Sequence, residues 1–327
     1  MLVNRPAMDC QKILSDKIDA LPQGDHTNGL KAVRLHIESA VRHYQRGVAE
    51  KDETIFTDAI YRCNQAYEGS LKEAYRVLAG KIPDRHTPSQ IEDFLTEGNI
   101  LRRRLLDQLT RYRTEWRNPS THNHMLDFDE DEALLAIGSV TALAIVLCDQ
   151  IDGMLAFNAA EASAASRMIA SPRSGQLIDQ IAEKVAEYCT LIAEQPGASM
   201  TSSHFEGGLA GFLQSTFEKR DIAVQLGGRD PRALVSPDIL LQAGKEKFVL
   251  ELKGVSGSSP KSAIERGRMQ LRVVSELAKA TGAVLVICSP TAKLYSIQDS
   301  NEDIPTKIVL PSTEPSETIS RGPAKRT

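Results

Sequence analysis

The sequence predicts an α + α/β protein, with an all-α bundle in the N-terminal half and an α/β domain with a small mixed sheet in the C-terminal third. Three observations predict it. From Leu30 to about Ile151, apolar residues recur at three- and four-residue steps, the spacing of helix faces. In the last third, short apolar runs of strand length alternate with helical stretches, the pattern of a layered α/β domain. The chain has 327 residues, a length that favours two domains over one.

Residues 1–29 carry weak periodicity and a polar break, QGDHTNG, and read as an N-terminal extension. Val33, Ile37, Val41 and Tyr44 then line one helix face. After a polar break at Glu50–Glu53, a second helix carries Ile55, Ile60, Tyr61, Ala66, Leu71, Tyr75 and Leu78, and Gly80 ends it. Thr87-Pro88 reads as an N-cap with proline at the first helical position, opening a short helix to about Glu97. A longer helix is expected from about Asn99 to Arg117, with Ile100, Leu105, Leu106, Leu109, Tyr112 and Trp116 on its apolar side. Pro119, which has no N–H to give, is expected to stop it. Asp129-x-x-Glu132 has the spacing of a capping box. The body it would cap, ALLAIGSVTALAIVLCDQI, is apolar nearly all round and is expected to be the most buried helix of a bundle spanning 30–155.

Residues 156–199 combine an Ala/Ser-rich stretch, a linker or a helical connector, with an amphipathic helix at Gln176–Glu194. The C-terminal domain is placed at 200–312. Its elements are a helix at Ser203–Lys219, strands IAVQL, DILLQ and FVLEL, a helix at Ser262–Ala280, and strands AVLVIC and Lys307–Leu310. Residues 313–327 read as a disordered tail.

Composition narrows the function. Hydrophobic residues are 41% and charged residues 25%, as in ordinary soluble globular proteins. The net charge is −4, so contact with nucleic acid requires local basic patches. Arg102, Arg103, Arg104, Arg111, Arg113 and Arg117 offer one, or else a solvated helix face. Five widely spaced cysteines without a CxxC pair argue against a disulfide framework or a cysteine zinc site. The N-terminus shows no apolar leader. The apolar run Ala133–Leu147 stops at Asp149, short of the ~20 residues a membrane span needs. A cytoplasmic protein without a membrane segment is expected.

Two stretches carry chemistry. In SPDILLQAGKEKFVLELKG, Glu251 and Lys253 are two apart on one strand and share a face. Asp238 begins the partner strand, and a tight hairpin would set its carboxylate beside Glu251. Two carboxylates converging next to a lysine suit a hard divalent cation, which activates water for attack on phosphorus, with Lys253 orienting that water or offsetting charge. In RNPSTHNH, Arg117 and His122 place a permanent cation and a group titrating near neutrality on one rim. Such a pair suits RNA cleavage without metal, the histidine moving the proton and the arginine holding the phosphate.

The first stretch, over roughly 200–312, resembles the PD-(D/E)xK nucleases of restriction-endonuclease-like fold. The resemblance implies Mg2+ (or Mn2+) held by Asp238 and Glu251, with Lys253 catalytic. It also implies a third carboxylate from the preceding helix, Glu206 before Glu218, and a polar residue from the following helix, Gln270 before Arg266. The second stretch, over about 30–153, resembles the HEPN bundles with their Rx4–6H motif. That resemblance implies Arg117 and His122 as a catalytic pair, with His124 as second-choice histidine and Asn118 positioning the phosphate or the arginine. It further implies a homodimer through the bundle, sharing one groove. Together the resemblances imply a nuclease acting on DNA, RNA or both, of the kind found in bacterial defence and abortive-infection effectors, restrained until a partner protein activates it. Two other readings are a non-catalytic dimeric partner that binds nucleic acid or protein, and an RNase toxin active only through the bundle.

Overall fold

A computed structural model describes residues 9–98, 100–123, 125–166, 175–193, 201–227, 235–254, 260–289, 292–300 and 302–312. The chain divides into two compact units, Met1–Leu155 and Ala156–Thr327.

The first unit is helical: α1 (Cys10–Ala20), α2 (Thr27–Glu50), α3 (Thr54–Leu78), α4 (Pro88–Glu97), α5 (Arg103–Tyr112), a π-helical turn (Arg113–Arg117), α6 (Asn118–His122) and most of α7 (Glu130–Ser166). Helices α2 and α3 follow the expected periodicity, and Val33, Ile37, Ile60, Tyr67 and Leu71 sit in one core. Thr87 caps α4 through a full capping box with Gln90. Asp129 and Glu132 form the second one, Glu132 N–H donating to Asp129 Oδ1 at 2.8 Å and Asp129 N–H to Glu132 Oε2 at 3.1 Å.

Four expectations need correction. The stretch assigned to an extension contains α1, whose Leu14 and Ile18, with Leu21 just past its end, belong to the bundle core. The helix expected to stop at Pro119 does not stop there. The Asn118 N–H reaches back to the Arg113 carbonyl, a wide turn, and Pro119 then sits in the first turn of α6, where a missing N–H costs nothing. Helix α7 is not buried all round. Leu134 and Leu135 are 52% and 60% exposed, and one stripe through Leu135, Gly138, Ala142 and Val146 faces outward. By length and composition alone α7 is also long and apolar enough to cross a membrane, but its Ala133, Ala136, Val140, Leu147 and Ile151 pack in the bundle core.

The second unit holds the tail of α7, then α8 (Leu177–Ala193), α9 (Ser202–Phe217), β1 (Ile222–Leu226), β2 (Ile239–Ala243), β3 (Glu246–Gly254), α10 (Pro260–Ala278), β4 (Gly282–Cys288), β5 (Leu294–Ser300) and β6 (Thr306–Ser312). Among the described residues the sheet has six strands in the order β1-β2-β3-β4-β6-β5. The β1–β2, β2–β3 and β5–β6 pairs are antiparallel, and β3–β4 and β4–β6 are parallel. Strands β3, β4 and β6 take their place because they are apolar on both faces, as central parallel strands must be. One face packs on α8 and α9 through Ile181, Val185, Leu213, Leu250 and Val284. The other packs on α10 through Val249, Leu271, Val274 and Leu285. The helix read as part of a connector is therefore a layer of this unit. The Ala/Ser-rich stretch is helical as far as Ser166, and 167–174 lie outside the described residues. So does the 313–327 tail. Strand β5 was not anticipated, because LYSIQDS lacks an apolar run and, at a sheet edge, buries only Tyr295.

Candidate active site

The β2–β3 hairpin builds the site. Its two-residue turn has Gly244 at φ +58°, a conformation glycine adopts without steric cost. The turn fixes the register Ile239 opposite Leu250, and the next step along the ladder sets Asp238 opposite Glu251. Asp238 Oδ2 accepts the Leu252 N–H at 2.8 Å, and the Asp238 carbonyl accepts the Gly227 N–H at 2.7 Å. The side chain is thus tied to β3, and the backbone of the same residue to the chain leaving β1. Leu250 and Leu252 turn toward the α8–α9 core, while Glu251 and Lys253 share the α10 face, as the strand period requires.

Glu251 is completely buried. Its Oε1 accepts from Lys253 Nζ at 3.0 Å and from Gln270 Nε2 of α10 at 2.5 Å. Lys253 Nζ also donates to the Leu252 carbonyl at 3.1 Å. The other oxygen of Glu251, Oε2, is buried and receives no hydrogen bond. Burial first, then the nearby charge of Asp238, push the Glu251 carboxyl up to about 8, against the opposing pull of Lys253. Like charges this close cannot both ionise freely. Gly267 of α10 leaves space for the lysine, since a Cβ there would meet Lys253 Cγ at 3.2 Å and Leu285 Cδ1 at 2.5 Å.

Glu206, on the first turns of α9, lies near the same end of the sheet. Burial first, then the charges of Asp238 and Glu206, push the Cys288 thiol at the end of β4 up to about 12. Cys288 was not singled out from the sequence. The parallel register that sets it opposite Gly254 is invisible there. Among the described residues no three His, Cys, Asp or Glu side chains are arranged as a ready metal-ligand set. The donors that fit a cation are the two carboxylates of Asp238 and Glu251, with the unsatisfied Oε2 as the observation in favour. Two carboxylates completed by water and phosphate oxygens suit Mg2+. Gln270, the polar residue of the helix after the motif, donates to the Glu251 carboxylate. Of the second choices, Glu218 lies in the 3-10 turn that follows α9, and Arg266 bonds weakly to the Ser262 hydroxyl at 3.5 Å.

The second motif is not brought together in the same way. Arg117 donates through Nε and Nη2 to Glu68 Oε1 at 3.1 and 2.9 Å, and through Nη1 to Asn118 Oδ1 at 3.3 Å. The Ser120 and Thr121 hydroxyls cap its carbonyl. Because α6 continues the helical path, His122 lies five residues on, about 140° around the axis from Arg117. The two side chains expected on one rim therefore point in different directions within the chain. His122 is exposed, and His124 lies outside the described residues. The arginine patch is also mostly engaged: Arg103 with Asp107, Arg111 with Glu115, Arg113 with Glu92 and Arg117 with Glu68. Glu68, the partner of Arg117 from α3, carried no sequence signal beyond an ordinary helical glutamate.

No known protein-family model, curated protein or solved structure matches the chain.

Proposed function

We propose that the second unit is a metal-dependent nuclease of PD-(D/E)xK type, with DNA as the first substrate to test. The observation that carries the reading is the buried Glu251 carboxylate, bonded through one oxygen to Lys253 and Gln270, left with the other unsatisfied, and faced by Asp238. A helix, three antiparallel strands, a helix and a parallel strand follow one another in the order the resemblance implies. Asp238 and Glu251 would hold Mg2+, which supplies a polarised phosphate and a nucleophilic water. Gln270 and Lys253 fix Glu251 in place. Lys253 Nζ, held by two acceptors, has one further N–H to direct at water or at the charge developing on phosphorus. The Leu252 N–H holds Asp238.

The bundle supports a second, separable reading as a dimerisation module with a shared RNase groove. An exposed His122 and an Arg117 turned to Glu68 do not make a pair within one chain, so catalysis there requires a second copy. The outward apolar stripe of α7 is where a second copy would pack.

Cleavage of labelled duplex DNA and single-stranded RNA, with Mg2+ and with EDTA, tests both readings. Mg2+-dependent DNA cutting is expected, with Asp238→Ala and Lys253→Ala each reducing it at least about a hundredfold. EDTA-resistant RNA cutting lost in His122→Ala would establish the bundle site. Undiminished RNA cutting in that variant would remove His122 from it. If Asp238→Ala cuts DNA as well as the parent, the carboxylate site is not the active site.

A further inference from the structure

A cavity of about 450 Å3 lies between the C-terminal half of α10 and the β5–β6 turn, large enough for a small molecule. Three cations line it: Arg268 and Arg272, one helical turn apart, and Lys279 just past the helix end. Arg268 Nε and Arg272 Nη2 approach the two oxygens of one carboxylate, Glu302, at 3.6 and 3.4 Å. Both contacts are long for charged hydrogen bonds, and the arginines remain 45% and 67% exposed. Glu302, whose Oε1 also accepts from the Ser300 hydroxyl at 3.3 Å, thus marks the point where two guanidinium groups converge on an anion.

The second observation is Ser275. It lines the same cavity, and its Oγ is buried with no hydrogen-bond partner. A buried hydroxyl left unpaired is costly, and a ligand oxygen in the cavity would satisfy it. The rest of the lining narrows the ligand. Glu276 and Asp303 offer acceptors, which suit the several hydroxyls of a sugar better than the one or two of inorganic phosphate. Leu271 and Ile304 add an apolar wall suited to a flat ring.

We propose that this cavity binds a nucleoside monophosphate. The phosphate lies between Arg268 and Arg272 in place of Glu302, the sugar hydroxyls donate to the carboxylates, and Ser275 Oγ bonds a ligand oxygen. The site uses neither Asp238 nor Glu251 and does not depend on the nuclease reading.

Isothermal titration of the full chain with the four ribonucleoside monophosphates, with adenosine and with inorganic phosphate tests this. At least one monophosphate is expected to bind at one site per chain, with adenosine and phosphate each at least about tenfold weaker. Arg272→Ala should weaken that binding about tenfold, and Glu302→Gln, which removes the competing charge, should tighten it several-fold. Asp238→Ala should leave it unchanged, whatever its effect on cleavage. Far-UV circular dichroism checks that each variant is folded. No heat with any monophosphate in either the parent or Glu302→Gln overturns the proposal. So does binding of phosphate alone as tightly as the monophosphates, or binding indifferent to Arg272→Ala.

Discussion

At the scale of single residues, Glu251 is where folding works against charge. Its carboxyl is raised from about 4.5 in the unfolded chain to about 8, by burial and by Asp238. Between those values the native state keeps a proton that the unfolded chain has lost. Stability is then fully present below the lower value and falls as pH rises toward the upper one. With EDTA present, the melting temperature of the parent should fall from about pH 5 to about pH 8. Glu251→Gln should remove that part of the slope and be the more stable protein at the alkaline end. Its amide oxygen can still accept from Lys253 and Gln270, and its NH2 can donate to Asp238. Parallel pH profiles for the two proteins would withdraw the shift. This residue was legible in the sequence because strand alternation and a short hairpin suffice to bring Asp238, Glu251 and Lys253 together. Arg117 and His122 were equally visible as letters. Their separation follows from the π turn and the short helix behind it, which no hydrophobic period records.

At the scale of elements, that π turn is held from α4. Glu92 is almost fully buried and accepts from Arg113 Nε at 3.0 Å through both oxygens, from Thr110 Oγ1 at 3.0 Å and from the Tyr67 hydroxyl. Glu92→Ala leaves the Arg113 guanidinium partly buried without its partner, and chemical denaturation should show a loss of about 3 kcal/mol. A loss within experimental error would mean the network adds nothing to the bundle. On the other unit, α10 must approach β3 closely at Gly267. Gly267→Ala should cost about 1–3 kcal/mol by overpacking and displace the Lys253 stem, lowering cleavage with the helix still formed. Unchanged cleavage would show that Lys253 has room to spare. The elements with strong periods, α2, α3, β3 and β4, could be read directly from the sequence. The edge strand β5 and the short α1 bury too few side chains to print a pattern, and their place depends on neighbours distant in sequence.

At the scale of the whole molecule, the described residues contain cores with no member in common. The bundle core ends at Ile151 and the α8–α9 core begins at Ala164, although α7 runs as one helix across the division between units. Separate cores define separate cooperative units, since a cavity is felt only by the side chains that collapse around it. Scanning calorimetry of the full chain should therefore resolve two transitions. Leu71→Ala, in the bundle, and Leu250→Ala, in the sheet, each empty a fully buried site and should each cost about 3 kcal/mol. Each should lower one transition and leave the other in place. A ribonucleoside monophosphate, if it binds beside α10, should raise only the transition that Leu250→Ala lowers, because a ligand stabilises the unit that holds it. A single transition moved by both substitutions would instead show that α7 couples the two cores into one folding unit. The carboxylate site could then not be studied apart from the bundle.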